Sequence, residues 1–322
     1  MKTVLIIGAT GSLGTHAFNY FYQNKKFYKI TALIGWNNEI KLEQMKNQTK
    51  ARTASKKSWW KIKNIILNHH YDIIINCVGG ITGIKYTWLS LSQTKTLVLA
   101  NKESLFIHGK ELLIQAKKNN TSIIPLDSEL TTLWYLLNKI KFSKRSDKVA
   151  IMASGGVLRN KKKFMLTKEV FNHPVWTMGK QITVDSSTMI NKIYEWYAAS
   201  IFFKKNIKEI QVFINLQGNV HAAIYQHEQW YSLFSKPKMP LIIKMIFENS
   251  KKLSYLSKIK DYLEEINLEF YPLFAKKTEL IKTKQHRICL LTQSILQGSL
   301  FIRGLITYPK MIKNIYLNVK IS

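Results

Sequence analysis

The sequence predicts an α/β protein whose N-terminal part is an open, doubly wound sheet. An apolar strand over 4–7 runs into a glycine-rich turn and then into a helix predicted over 13–22. Further apolar runs of strand length occupy 28–34, 72–78 and 96–100, and each ends at glycine or polar residues. Buried-type strands that alternate with helical segments are typical of parallel sheets. The first part of the chain is therefore predicted to form a Rossmann-like domain.

The composition of the 322-residue chain bounds its size and its partners. This length allows two or three domains with cores of their own. Lys and Arg number 49 against 19 Asp and Glu, which gives a formal net charge of +30. Such a surplus would suit a nucleic-acid binder, but the lysines are scattered and no nucleic-acid module pattern accompanies them. A compositional bias is the favoured explanation, and nucleic acid is not the expected partner.

The cysteines and the apolar segments indicate the expected compartment. Cys77 and Cys289 lie far apart in apolar surroundings, and their spacing matches no metal site. Buried free thiols in a reducing compartment are the favoured interpretation. Neither a leader pattern nor an apolar span of membrane length is apparent in the sequence. We therefore expect a cytoplasmic protein with no membrane partner.

The glycine-rich turn after the first strand has the context that a dinucleotide-binding turn needs. Gly8 and Gly11 stand where the backbone can approach a pyrophosphate. Thr10 and Ser12 offer hydroxyl donors, and Leu13 begins the predicted helix. The spacing is Gly-x-x-Gly-x-x-Gly, which on its own also fits a tight structural turn.

Scarce carboxylates follow the strand predicted over 122–126. Asp127 and Glu129 lie two apart, and side chains two apart on extended backbone point the same way. That arrangement suits a hard divalent cation, with Glu195 as a third ligand and other positions left for substrate and water. The alternative is that Asp127 is the N-cap of a helix that begins near Leu130, without any metal.

The stretch that leads to Glu195 combines a predicted loop, a strand over 181–185 and a helix over 188–203. Asn191, Lys192 and Glu195 share one face of that helix because they are three and four residues apart. A hydroxyl-rich helix start followed by Asn and Lys favours phosphate binding, and a carboxylate one turn further on can hold a metal beside it. The alternative is an amphipathic helix whose Lys and Glu form a solvated pair.

Several strings are more specific than these spacings. Ala-Asn-Lys-Glu-Ser-Leu occupies 100–105, Asp-Ser-Glu occupies 127–129 and Ser-Gly-Gly occupies 154–156. A His-Pro-x-Trp-x-Met-Gly loop leading into a V-D-S-x-T-M-x-N-K helix is formed by His173, Pro174, Trp176, Met178, Gly179, Val184, Asp185, Ser186, Thr188, Met189, Asn191 and Lys192. Together these strings resemble the 1-deoxy-D-xylulose 5-phosphate reductoisomerase family, with matches that extend from Gly8 to His221.

The resemblance implies an activity and an architecture. The expected reaction converts 1-deoxy-D-xylulose 5-phosphate to 2-C-methyl-D-erythritol 4-phosphate, a step of isoprenoid precursor synthesis, by rearrangement and hydride reduction. It implies NADPH, a divalent cation (Mn²⁺, Mg²⁺ or Co²⁺), a sugar-phosphate substrate and a homodimer. The implied domains are a dinucleotide-binding domain over 1–126, a central α/β catalytic domain over 127–240 and a short C-terminal helical part over 241–322. Helices are expected at 261–270 and 288–297.

The resemblance also implies residue roles. The residues expected to orient the substrate or to close over it are Lys102, Ser128, His173 and Trp176. The substrate phosphate is assigned to Ser154, Ser186, Asn191 and Lys192. The cation is assigned to Asp127, Glu129 and Glu195. The cofactor is assigned to Gly8, Thr10, Gly11, Ser12, Leu13, Gly35, Asn37, Asn38, Asn101, Glu103 and Gly179.

The sequence departs from the family pattern at several places, of which three bear on function. Leu130 replaces the His that usually follows the Asp-Ser-Glu triplet, and the usual Asn-Ala-Ala-Asn-Glu run is not recognisable near 290–297. Asn37 stands where a basic residue is common, which predicts weaker discrimination for NADPH unless another cation such as Lys41 supplies the charge. The alternatives are another sugar-phosphate oxidoreductase, or a catalytically eroded relative that binds nucleic acid.

Overall fold

The computed structural model describes residues 1–138, 148–154, 190–215, 218–226, 229–234, 236–248 and 310. The chain divides into two compact units. The first comprises Met1–Ile140, Ile201–Phe203 and Lys238–Ser257, and the second comprises Lys141–Ser200, Lys204–Pro237 and Lys258–Ser322. The domain boundaries after residues 126 and 240 stay a prediction. The strand at 181–185 and the helices at 261–270 and 288–297 lie outside the described residues.

The first unit contains a six-stranded, all-parallel sheet, which confirms the predicted α/β class. Its strands are Lys2–Ile7 (β1), Tyr28–Ile34 (β2), Arg52–Ala54 (β3), Tyr71–Asn76 (β4), Thr94–Leu99 (β5) and Ser122–Pro125 (β6). Their spatial order is β3-β2-β1-β4-β5-β6, so the direction of winding reverses between β1 and β4. In open sheets of this kind, ligands bind at the carboxyl ends of the strands beside that reversal.

Helices connect these parallel strands and cover the sheet. They are Ser12–Gln23 (α1), Glu39–Thr49 (α2), Trp59–Leu67 (α3), Ile81–Ser90 (α4), Lys102–Lys118 (α5) and Ser128–Asn138 (α6). The central strands are the most apolar: Val4, Ile6 and Ile74 have no exposed surface. Branched side chains suit a strand that is buried on both faces, because they pack well on a pleated surface.

The second unit is built on a mixed four-stranded sheet. Its strands are Lys148–Ala153 (β7), Ile210–Ile214 (β8), Val220–Gln226 (β9) and Gln229–Phe234 (β10), in the order β10-β9-β7-β8. β7 pairs with β8 in parallel and with β9 antiparallel. The helix Ile190–Phe202 (α7) belongs to this unit up to Ser200. Met152, Phe213 and Trp230 form part of the unit's apolar cluster, with the Phe213 and Trp230 rings meeting edge to face at 5.5 Å.

The helix Met239–Phe247 (α8) returns to the first unit, where it packs on α1 and α6. Phe247 lies among three aromatic rings, with centroid distances of 5.5 Å to Tyr20, 4.9 Å to Phe21 and 6.1 Å to Tyr28. Edge-to-face and offset ring pairs add to the apolar area that such residues bury. Within the described part of the chain, no helix has both the length and the apolarity needed to cross a lipid bilayer.

Candidate functional site

The turn between β1 and α1 leaves an open backbone surface at its tip. Gly8 has φ +82°, a conformation that favours glycine. A Cβ at Gly14 would lie 2.1 Å from the Gly8 carbonyl oxygen, so the helix can approach the turn this closely only without a side chain there. Gly11 has φ −73° and caps α1 without a side-chain hydrogen bond, and a Cβ there would meet only the Gly8 oxygen at 3.3 Å. The backbone amides at the start of α1 have no side-chain cap, and the first turn of this helix contains no acidic residue. Both features suit the binding of an anion there.

The turn after β2 is joined to the turn after β1. The backbone amide of Trp36 donates to Thr10 Oγ1 at 3.4 Å, which links the two turns. Asn38 Oδ1 accepts from the amide of Lys41 at 2.9 Å and so caps α2. A Cβ at Gly35 would lie 2.9 Å from Leu42 Cδ2. The residues of these two turns that are predicted to bind the cofactor therefore lie near one another at the carboxyl edge of the sheet.

The side chains of Asn101 and Glu103 hold the loop that follows β4. Asn101 Nδ2 donates to the carbonyl oxygens of Val78 and Gly80 at 3.0 and 2.8 Å, while its Oδ1 accepts from the amide of Ser104 at 2.9 Å. Glu103 Oε1 accepts from the amide of Gly80 at 2.7 Å. Both side chains are buried. These bonds fix the shape of the loop.

Removing the Glu103 carboxylate is therefore expected to weaken dinucleotide binding. Glu103→Ala leaves the Gly80 amide without its acceptor, and an unsatisfied amide of this kind costs about 1–3 kcal/mol. We expect the dissociation constant of NADPH to rise about tenfold, measured by fluorescence titration. Glu111→Ala is the matched control, because Glu111 is exposed on the same helix. Equal affinities for the two variants would remove Glu103 from the site.

Asp127 is the N-cap of α6 and pairs with Lys102. Its Oδ1 accepts from the amides of Glu129 and Leu130, both at 3.1 Å, and its Oδ2 accepts from Lys102 Nζ at 2.8 Å. The expectation that Asp127 and Glu129 share extended backbone is wrong, because α6 already begins at Ser128. The capping geometry of the alternative is thus confirmed, and it leaves both carboxylates buried. Ser128 Oγ donates to Glu129 Oε2.

The first turns of α7 hold a second buried ion pair. Lys192 Nζ donates to Glu195 Oε2 and, at 2.5 Å, to the carbonyl oxygen of Met152 on β7. Asn191 Nδ2 donates to Glu195 Oε1 at 2.5 Å. Glu195 has no exposed surface and Lys192 is 5% exposed, so the alternative of a solvated surface pair is wrong. Because Met152 precedes Ser154 by two residues, the start of α7 lies against the end of β7 that carries Ser154.

The remaining predicted site residues are not all described. His173, Trp176, Gly179 and Ser186 lie outside the described residues. Ser12 and Leu13 begin α1, next to Gly11, and Asn37 lies in the turn that follows β2. Thr15 is not among the residues predicted from the sequence. It lies one turn after Gly11, and its hydroxyl donates to the Gly11 carbonyl oxygen at 2.7 Å. Its spacing could have indicated this contact, because residues four apart on a helix are neighbours.

Comparison with known proteins decides the family. Residues 4–65 and 41–109 match the family model described as 1-deoxy-D-xylulose 5-phosphate reductoisomerase, and residues 123–203 match that of its C-terminal domain. The reductoisomerase of Pelagibacter ubique is 30% identical, over 100% of this chain and 88% of the relative. That of Thermotoga maritima is 30% identical, over 85% of this chain and 77% of the relative.

The chain belongs to the 1-deoxy-D-xylulose 5-phosphate reductoisomerase family.

Solved reductoisomerase structures share the fold of this family member. One, described as DOX-P reductoisomerase in complex with NADPH, fosmidomycin and magnesium, is 24% identical with a TM-score of 0.71, and covers 93% of this chain and 80% of that chain. The Zymomonas mobilis reductoisomerase in complex with NADPH is 19% identical with a TM-score of 0.69, and covers 100% and 92%. The nucleic-acid alternative is not favoured by these relationships.

Proposed function

We propose that this protein converts 1-deoxy-D-xylulose 5-phosphate to 2-C-methyl-D-erythritol 4-phosphate, with NADPH as the reductant and a divalent cation as the metal cofactor. The observation that carries the proposal is the burial of Asp127, Glu129 and Glu195 in a chain with only 19 acidic residues. Buried carboxylates are costly unless they are paired or bind a metal, so three of them within the family-like motifs of this chain point to a functional site. The family membership of the chain supports the same reaction.

The residues of the first unit fit a dinucleotide. The backbone surface at Gly11 is open, and a side chain at this position would occupy it. The start of α1 has no side-chain cap, so its backbone amides can donate to a pyrophosphate. NADPH supplies the hydride when it is bound. We assign its diphosphate to the turn that contains Thr10 and Ser12, and its nicotinamide half to the loop that Asn101 and Glu103 hold.

The carboxylate set fits a hard cation. We assign the cation to Asp127, Glu129 and Glu195, whose carboxylate oxygens suit Mg²⁺, with Mn²⁺ and Co²⁺ as further candidates. When bound, the cation supplies Lewis-acid polarisation of the substrate's oxygens. Lys102 offsets the charge of Asp127, and Lys192 offsets that of Glu195. These pairings reduce the repulsion that a set of buried carboxylates would otherwise create.

Side chains of the protein bind the rest of the substrate. We assign the orientation of its oxygens to Lys102 and Ser128, which lie in the first turns of α5 and α6. The phosphate is assigned to Ser154, Ser186, Asn191 and Lys192. Binding energy from a phosphate remote from the reacting carbons can hold the substrate in its reactive position. His173 and Trp176 are proposed to cover the substrate and exclude water.

The direct test is an assay of the purified protein with 1-deoxy-D-xylulose 5-phosphate, NADPH and Mg²⁺. We expect a substrate-dependent loss of nicotinamide absorbance and formation of the methylerythritol phosphate. An assay without substrate controls for background oxidation. The proposal fails if no turnover occurs with Mg²⁺, Mn²⁺ or Co²⁺ in a protein that is folded by circular dichroism. Tight DNA binding at moderate salt in that inactive protein would favour the eroded relative instead.

We also propose a homodimer in the cytoplasm, as the sequence resemblance implies. Cys77 is unpaired, and desolvation raises the pKa of its thiol to about 12, which suits an inert thiol in a reducing compartment. Light scattering of the purified protein gives the oligomeric state, and a monomeric mass at micromolar concentration would reject the dimer.

Two glycine substitutions separate binding from folding at the first turn. Gly11→Val places a branched side chain on the open surface, so we expect loss of NADPH binding with little change in melting temperature. Gly14→Val drives a side chain into the Gly8 backbone, so we expect a loss of about 3 kcal/mol or more of stability. Fluorescence titration and thermal unfolding measure the two effects. Unchanged NADPH affinity in folded Gly11→Val would place the diphosphate elsewhere.

A further inference from the structure

We infer that Lys41 recognises the 2′-phosphate of NADPH and thereby makes this enzyme prefer NADPH to NADH. The inference deepens the proposed function, because it rests on dinucleotide binding at the carboxyl edge of the first sheet. Its basis is a hydrogen-bonded chain that holds the Lys41 ammonium beside the glycine-rich turn. It assigns to Lys41 the role of the basic residue that Asn37 replaces.

The backbone places Lys41 at the expected end of the cofactor. In doubly wound sheets the adenosine ribose lies at the end of the second strand, where an acidic residue selects NAD and a cation accommodates the extra phosphate of NADP. Lys41 lies in the first turn of α2, directly after the turn that follows β2. Asn38 fixes this position, because its Oδ1 accepts from the Lys41 amide at 2.9 Å.

The side chain of Lys41 turns from α2 toward α1. Its Nζ donates to Thr15 Oγ1 at 2.7 Å. The Thr15 hydroxyl in turn donates to the Gly11 carbonyl oxygen at 2.7 Å. The ammonium is therefore tied, through one hydroxyl, to the glycine turn that we assign to the diphosphate. A long, flexible lysine held in this way loses less side-chain freedom when an anion binds.

The charge of Lys41 is available to a phosphate. Among the carboxylates of the described residues, none pairs with Lys41. Glu39, two residues earlier, is engaged by Lys57 Nζ at 2.9 Å and by Ser55 Oγ at 3.1 Å. Residues 35–38 read Gly-Trp-Asn-Asn, so the position that would select NAD carries no acid. These features favour an anion at this corner.

The neighbouring imidazole does not supply the positive charge at neutral pH. Burial lowers the pKa of His16 below its usual 6.5, and the charge of Lys41 lowers it further. His16 is therefore neutral at pH 7. Around α1 and the start of α2, the cation that meets a 2′-phosphate is then Lys41 rather than His16.

The test compares NADPH and NADH binding to the purified full-length protein. Dissociation constants are measured by nicotinamide fluorescence for the wild type, Lys41→Met and Lys41→Arg. Met matches the length of the lysine stem without its charge. Lys46→Met is the control, because Lys46 lies on the same helix and pairs with Glu43 at the surface. Thermal unfolding confirms that each variant is folded.

We expect wild-type protein to bind NADPH more tightly than NADH. Lys41→Met should weaken NADPH binding about 10- to 100-fold, the size expected for one charge-assisted hydrogen bond. NADH binding should change less than about twofold, Lys41→Arg should keep most of the preference, and Lys46→Met should match the wild type.

Other results have distinct meanings. An equal loss of NADPH and NADH affinity in Lys41→Met would show that Lys41 merely supports the turn, and would overturn the inference. Wild-type protein that binds both cofactors equally would also overturn it while leaving the proposed function intact. Wild-type protein that binds neither would reject both.

Discussion

Replacing Glu129 with Gln is expected to lower turnover by about 10²- to 10⁴-fold, the largest catalytic effect of any single substitution proposed for this protein. Gln keeps the volume and can still accept a hydrogen bond from the Ser128 hydroxyl, so the fold should persist. The change removes one negative charge from a set that we assign to a hard cation. Metal affinity should therefore fall along with turnover, while the melting temperature of the metal-free protein stays within a few degrees.

Thermal unfolding gives a readout of the metal role that does not depend on catalysis. A cation that binds only the native state stabilises it by about 2.7 kcal/mol at 100 times its dissociation constant. The melting temperature of the wild-type protein should therefore be higher with Mg²⁺ than with a chelator. The Glu129→Gln variant should show no such difference. Glu111→Gln, at an exposed position, is the matched control. Full wild-type activity in excess chelator would remove the metal from the reaction.

Replacing Lys192 with Ala is expected to lower the free energy of unfolding by about 3–5 kcal/mol. Lys192 pairs with Glu195, which has no exposed surface, so the substitution leaves a buried carboxylate without its cation. Turnover should also fall at least a hundredfold, because the lysine is assigned to the substrate phosphate. Urea unfolding and steady-state kinetics measure the two losses. Lys110→Ala, on the exposed face of α5, should change neither.

A double substitution separates the two roles of Lys192. Lys192→Met combined with Glu195→Gln removes both charges, and neutral replacement of a buried pair is often close to neutral for stability. The double variant should recover most of the lost stability yet remain inactive. A double variant with wild-type turnover would refute the phosphate and metal assignments together. If Lys192→Ala and Lys110→Ala behaved alike, Lys192 would have no special function.

The buried parallel strands could be predicted from the sequence because their composition differs from the rest of the chain. β1, β2, β4, β5 and β6 are found within two residues of the expected ends. The segment from α2 to α3 could not be predicted. Only Leu42 and Met45 of α2 are buried, so its pattern has almost no helical periodicity, and β3 is three residues long. The antiparallel pair of β9 and β10 also has no counterpart among the strands that the sequence predicts.

The site residues could be predicted by type but not by partner. Motif identity drew attention to Lys102, Asp127 and Glu103, yet the bonds they form join residues more than 20 positions apart. Spacing along the chain carries no information about such contacts, because they depend on which strands become neighbours. The Lys192–Glu195 pair shows the opposite case. Its spacing predicted the pairing, but only the packing of α7 on β7 decides that the pair is buried.

The return of α8 to the first unit has a consequence for biosynthesis. Roughly 100 residues separate the end of α6 from the start of α8, and a ribosome that adds about 5–20 residues per second needs roughly 5–20 s to make them. During that interval Tyr20 and Phe21 lack their ring contacts with Phe247. The nascent chain therefore carries an aromatic surface that can associate with other apolar surfaces until α8 has been synthesised. Chaperone demand during synthesis should be concentrated in this window.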